Sequence, residues 1–254
     1  MRVALVYGGQ PRFTYDFIDF MNRLTGFESA DFYMTLWRSA WATNDEQAVA
    51  KISKVLKPNF RIGRIKVIDA PQVEYAVGAE KLQPAKPQNT LWWYERGFYQ
   101  AIGTSLAFDL IDQQYDLVIK FRGDGSVDRG VDLRRYDFSK TPLLQPSNGQ
   151  SGYSDYKIND QFAIGTPEAM KFYCDLGKEY KELVPASDPE WNKSSELDAW
   201  HWRFGIDFLM GYRAKLHGVV YHNADFGYNL NTYGRSQFTD KHYHHAVAKD
   251  PTEE

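Results

Sequence analysis

The stretch YDLVIKFRGDGSVDRG, Tyr115–Gly130, ends an apolar run in a loop that holds Arg122, Asp124 and Asp128 among three glycines. Carboxylate oxygens are the preferred ligands of hard divalent cations such as Mg2+ or Mn2+. An ion held on Asp124 and Asp128 can stabilise a departing nucleoside diphosphate. The competing reading makes both residues turn formers, since Asp and Gly are common in turns. A second candidate loop is GGQPR, residues 8–12. Gly8 and Gly9 let the backbone approach a ligand closely. Beyond them, Gln10 lies in the same loop, and Arg12 can supply a charge-assisted contact to phosphate. Against this stands a plain strand-to-helix turn with Arg12 in solvent.

Both loops need strands to deliver them. RVALVY (2–7) reads as a buried strand, DFYMTLW (31–37) as a second, the alternating FRIGRIKVID (60–69) as a third and DLVIKF (116–121) as the central one. Helical spacing falls between them at 14–24, 44–56 and 89–114, with Asn44 as a cap for the second. Residues 70–88 read as a loop. Strand alternating with helix predicts a mostly parallel sheet covered on both faces. In such sheets ligands bind beyond the carboxyl ends of the strands. Trp37 closes the second strand on that side and either contacts a nucleotide or seals the core. The second half is less regular: strands at 141–146, 159–165 and 216–222, helices at 167–183 and 194–212, and a polar, aromatic tail from Asn223.

Composition narrows the class. The 254 residues carry 43% hydrophobic and 25% charged side chains and a net charge of -3, which describes an ordinary globular chain without the basic face of a nucleic-acid binder. The aromatic fraction, 16%, serves core filling first. One cysteine, Cys174, leaves no intrachain disulfide and suits a reducing compartment or indifference to redox. The N-terminal apolar run is too short for a signal-peptide core, and no run reaches the roughly 20 residues needed to span a bilayer. A cytoplasmic protein without a membrane span is expected.

Four pieces in order, ALVYGGQPR, DFYMTLW, YDLVIKFRGD and INDQFAIGTPEAM, with SSELDAWHWRFGI as a weaker fifth, resemble small GT-A-type glycosyltransferases. The likeness is to members found in phages, large viruses and bacterial polysaccharide clusters. It implies a single Rossmann-type α/β domain over 1–240, with a nucleotide-binding half (1–130), an acceptor and catalytic half (131–240) and a flexible tail (241–254). It also implies a nucleotide-sugar donor, commonly a UDP-sugar, a hydroxyl acceptor and a divalent metal such as manganese or magnesium. The donor would lie over the first loop, against Gly8, Gly9, Gln10 and Arg12, with its diphosphate near Arg122 and Asp124 in the carboxylate loop. GT-A enzymes usually place Asp-x-Asp here. This chain has Arg122-Gly123-Asp124, so an arginine stands where the first carboxylate is expected. Either Asp124 holds the metal with Asp128 or a distant histidine, or Arg122 itself neutralises phosphate. Related enzymes often complete the metal site with a C-terminal histidine, which points to His222; a capping or core histidine is the alternative. For an inverting transfer, Asp160 or Glu196 is the candidate base, with helix capping the plainer role of Glu196. Phe226, Tyr228 and Tyr233 are candidates for a lid or acceptor platform.

Two rival functions remain. GDGSVD is similar to the loop of haloacid-dehalogenase phosphohydrolases, but that chemistry needs a nucleophilic Asp where Arg122 stands. A non-catalytic sugar or nucleotide binder on the same scaffold is the other.

Overall fold

The continuous apolar runs become strands with both faces buried, as parallel strands under helices require. In the computed structural model, which describes residues 1–13, 15–73, 87–146, 158–183 and 206–230, strand β1 is Arg2–Gly9. It sends Val3, Leu5 and Tyr7 into one core and Ala4 and Val6 into the other. The further strands of the main sheet are β3 (Ser29–Trp37), β4 (Phe60–Ile68), β5 (Leu117–Lys120), β8 (Leu143–Pro146), β9 (Ala163–Gly165) and β10 (His222–Ala224). Their order is β10-β8-β9-β5-β1-β3-β4. Neighbours run parallel except where β9 lies antiparallel between β5 and β8. Two small pairs stand apart: β2 (Leu24–Thr25) with β7 (Val131–Asp132), and β6 (Gly125–Val127) with β11 (Tyr228–Leu230).

Helices cover both faces. On the first lie α1 (Tyr15–Arg23) and α2 (Asp45–Ser53), which contribute Phe17, Phe20, Met21, Ala48 and Ile52 to its core. Asn44 caps α2, its side chain accepting from the Gln47 amide at 2.9 Å. This core is unusually aromatic around Phe121, which stacks on Phe20 with ring centroids 5.3 Å apart and on Phe17 at 5.8 Å. The second face is covered by α3 (Pro87–Phe108), α4 (Pro167–Cys174), α5 (Leu176–Glu179) and α6 (Ile206–Leu216). Their Tyr94, Phe98, Ala101, Tyr173, Leu176 and Leu209 are buried against Ala4, Val6 and Val118.

Three local expectations change. The helix read over 167–183 is interrupted at Asp175, whose carboxylate binds Lys171 and Lys178. The strand read over 216–222 gives way to the end of α6. Gly218 turns to φ +63°, and the Val219 amide reaches back to the Ala214 carbonyl at 2.9 Å, a glycine helix stop. His222 therefore opens β10 rather than following a strand. The segment after Asn223 is also better fixed than its polarity suggests, because β11 pairs with β6 and Phe226 is fully buried between Phe162 and Tyr136. Among the described residues no helix is long and apolar enough to cross a membrane.

Candidate active site

The parallel strands β1, β3, β4 and β5 end on one edge of the sheet, at Gly9, Trp37, Ile68 and Lys120. Because β9 runs antiparallel to β5, with Ala163 opposite Lys120, the residues that precede β9 arrive at the same edge. Asp160 and Gln161 are thus brought to the loops after β1 and β5, across about 40 residues of chain that no local pattern links.

Arg122 and Asp124 form a bidentate pair, Nε to Oδ1 at 2.8 Å and Nη2 to Oδ2 at 2.7 Å. Arg12 Nη1 stands 3.7 Å from Oδ2 of the same carboxylate. The side chains are only partly exposed, 15% for Arg122, 22% for Asp124 and 31% for Arg12. Burial works against the charged form of Asp124, but the Arg122 guanidinium outweighs it and holds the carboxyl below its usual range. For Arg122, burial likewise opposes charge, and Asp124 reverses the balance and raises its pKa. The loop after β1 is locked to this pair. The Tyr7 hydroxyl donates to the Gln10 carbonyl and accepts the Arg12 amide at 3.3 Å. Burial, helped by Asp124, pushes that hydroxyl up to about 12, so it remains a donor. At Gly123 a Cβ would come within 2.6 Å of the Arg12 carbonyl oxygen, so only glycine lets the two loops touch.

Asp160 is anchored from two sides. Gln100 Nε2 donates at 2.7 Å to both its main-chain carbonyl and its Oδ2, and Lys120 Nζ also donates to the carbonyl. Lys120 is 2% exposed at the end of β5. Burial drives its amine down to about 7, against the pull of Asp160. Lys120, Asp160, Thr104, Tyr173 and Cys174 line a cavity of about 10 Å³, the size of one water molecule.

The remaining expected site residues fall elsewhere or serve packing. Gly8 is needed by the fold: a Cβ there would lie 2.0 Å from the Gly103 carbonyl carbon, where β1 crosses α3. Gly9, at φ +123°, takes the turn out of β1 beneath Trp37, whose buried indole (5% exposed) packs on Tyr99. Gln10 is exposed, with its side-chain oxygen 3.3 Å from Arg12 Nη2. Asp128 is exposed beyond β6, its amide bonded to the Gly227 carbonyl at 3.0 Å. His222 pairs with Leu144, which lies in one row with Ile164 and Ile119. That row puts it three strands from β5, about 14 Å at the usual spacing of roughly 4.8 Å. Glu196 and Tyr233 lie outside the described residues.

The residues at this site do not fit the expected divalent ion. Among the described residues, no group of three or more His, Cys, Asp or Glu is placed to hold a metal. His222 lies three strands from β5, and both Asp124 oxygens already face Arg122. A cation on Asp124 would sit beside two guanidiniums.

Lys120, Gln100 and Tyr7 contact the candidate site, and the sequence reading missed them. One signal was available for Lys120: it is a charged residue at a buried register of LVIKF, two positions from Val118 on the same face. For Gln100 there was none, since it is one polar residue on a long helix.

No family model matches the chain, and no curated protein matches it, so the narrower likeness to phage and viral members finds no support there. Among solved structures the chain is similar to mouse xyloside xylosyltransferase 1 in its apo form, at 12% identity and a TM-score of 0.46, over 96% of this chain and 92% of that one.

Proposed function

We propose that the chain is a glycosyltransferase that moves a sugar from a nucleotide-sugar donor, of the UDP-sugar class, to an acceptor hydroxyl. One observation carries this reading. A cationic cluster (Arg12 and Arg122, with Asp124) gathers beyond the carboxyl ends of β1 and β5, and the carboxylate-bearing segment of Asp160 is fastened beside it. Ligands of open α/β sheets bind at that edge. Guanidiniums suit the phosphates of a donor, and a carboxylate suits the acceptor end.

The acceptor oxygen bonds to the anomeric carbon as the bond from that carbon to the phosphate oxygen breaks. The electron pair leaves with the nucleoside diphosphate, and Asp160 receives the acceptor's proton. Arg12 and Arg122 meet the charge that develops on the leaving group. Gln100 and Lys120 orient Asp160 and its loop.

The test is release of nucleoside diphosphate from a panel of UDP-, GDP- and ADP-sugars, with mass spectrometry of pooled hydroxyl acceptors. Turnover of at least one donor, cut a hundredfold or more in Asp160→Asn, is expected. Binding of donors without turnover of any would replace this reading with a non-catalytic sugar-nucleotide module.

A further inference from the structure

We infer that this site binds a nucleoside diphosphate without a metal ion, gripping the phosphates with the paired guanidiniums of Arg12 and Arg122 while Asp124 aims Arg122. The inference rests on the glycosyl-transfer reading and deepens it by naming what holds the diphosphate.

Asp124 is the residue a metal would need, and its two oxygens accept Nε and Nη2 of Arg122 at 2.8 and 2.7 Å. Ligating a cation would break that pair and leave two partly buried guanidiniums facing the cation. The opposite arrangement suits an anion. Arg122 has five N–H donors, and its two bonds to Asp124 leave three directions for phosphate oxygens. Arg12 is brought alongside, 3.7 Å from the same carboxylate, by a loop that the Tyr7 hydroxyl and the Gly123 contact hold in place before any ligand arrives. Two cations set at fixed spacing with one carboxylate between them carry a net positive charge. Tetrahedral phosphates accept such forks in bidentate fashion, which an ammonium cannot reproduce. Preorganisation lets the ligand meet these donors without first ordering them. Arginine in place of the first carboxylate of the usual triplet thus supplies the positive charge that an ion supplies elsewhere.

The experiment is calorimetric titration of the full chain with UDP, GDP and inorganic pyrophosphate, each in EDTA and in MnCl2, with circular dichroism to confirm folding. The wild type should bind at least one nucleoside diphosphate in EDTA with a Kd within threefold of that in manganese. Pyrophosphate should compete for the site. Arg122→Lys, and separately Arg12→Lys on the exposed side of the loop, should weaken binding tenfold or more in both buffers. Asp124→Asn, which loses one of the two bonds that aim Arg122, should change the Kd by the same factor in EDTA and in manganese, since no ion depends on its charge. Binding that appears only with manganese and disappears in Asp124→Asn would overturn the inference and leave glycosyl transfer standing. Absence of binding in both buffers, with no donor turned over, would overturn both.

Discussion

Replacing Gly8 by alanine separates a packing role from a ligand role, because the two roles predict different measurements. A Cβ built on Gly8 lies 2.0 Å from both the carbonyl carbon and oxygen of Gly103 and 2.4 Å from the Thr104 amide nitrogen. All three atoms are main chain, so no rotamer change relieves the overlap. Non-bonded heavy atoms rest at about 3.5–4.0 Å, so β1 and α3 must part by about 1.5 Å. They meet at the centre of the molecule, where Ala4, Val6, Phe98 and Ala101 are buried between them. Overpacking of this kind costs about 1–3 kcal/mol, and contact with rigid backbone places it near the upper end, about 3 kcal/mol. For a chain of this size each kcal/mol lowers Tm by about 2–4 °C, so Gly8→Ala should melt about 6–12 °C below the wild type. Gly103→Ala, whose nearest contacts are 2.9 Å, should lose less. Scanning calorimetry reads both, with UDP titration on the folded variant at low temperature. A Gly8→Ala protein with unchanged Tm and abolished nucleotide binding would refute the packing argument and make Gly8 a ligand contact.

Tyr115→Phe, at the opposite edge of the sheet, removes a hydroxyl that donates to Asp31 Oδ2 at 2.7 Å and lies 2.8 Å from the Tyr33 hydroxyl; urea unfolding should show a loss of about 1–2 kcal/mol with nucleotide affinity unaltered. Lys120→Met tests the buried amine. The folded-state value near 7 lies below the ordinary 10.5, so the unfolded chain binds more protons between them and this group makes stability rise with pH over that window. Wild-type Tm should climb relative to Lys120→Met between pH 7 and 9, and a flat difference would show that the amine is not depressed. Arg213→Lys removes a fork that reaches Glu179 at 2.8 and 2.6 Å and lies 4.3 Å over the Phe172 ring, and should cost about 1–2 kcal/mol by urea unfolding. Arg213 holds the Glu179 carboxyl below its usual range, so its stabilisation is present at neutral pH and fades as pH falls below about 4.5. The variant should therefore lose stability less steeply in acid than the wild type, with a modest difference because Glu179 is 36% exposed.

Short-range physics made much of this protein readable from its residues. Apolar runs marked β1, β3 and β5, which are buried on both faces, and alternation marked β4, which leaves Arg61, Arg64 and Lys66 exposed. Helical spacing and the Asn44 cap marked the connecting helices, and the two together pointed to the mostly parallel α/β sheet that the strand pairings show. Arg122 and Asp124 lie two residues apart beyond β5, so their joint placement was legible too, although not that they would pair. Tertiary structure decided the rest. The antiparallel direction of β9 brings Asp160 to Lys120 and Gln100, and the strand order carries His222 three strands away from the carboxylate expected to share its metal. The crossing of β1 and α3 makes Gly8 a packing residue, and pairing of β11 with β6 draws Phe226 into the core. Periodicity records which face of an element is buried, whereas the meeting of polar groups far apart in the chain depends on strand order, direction and register, which no local pattern encodes.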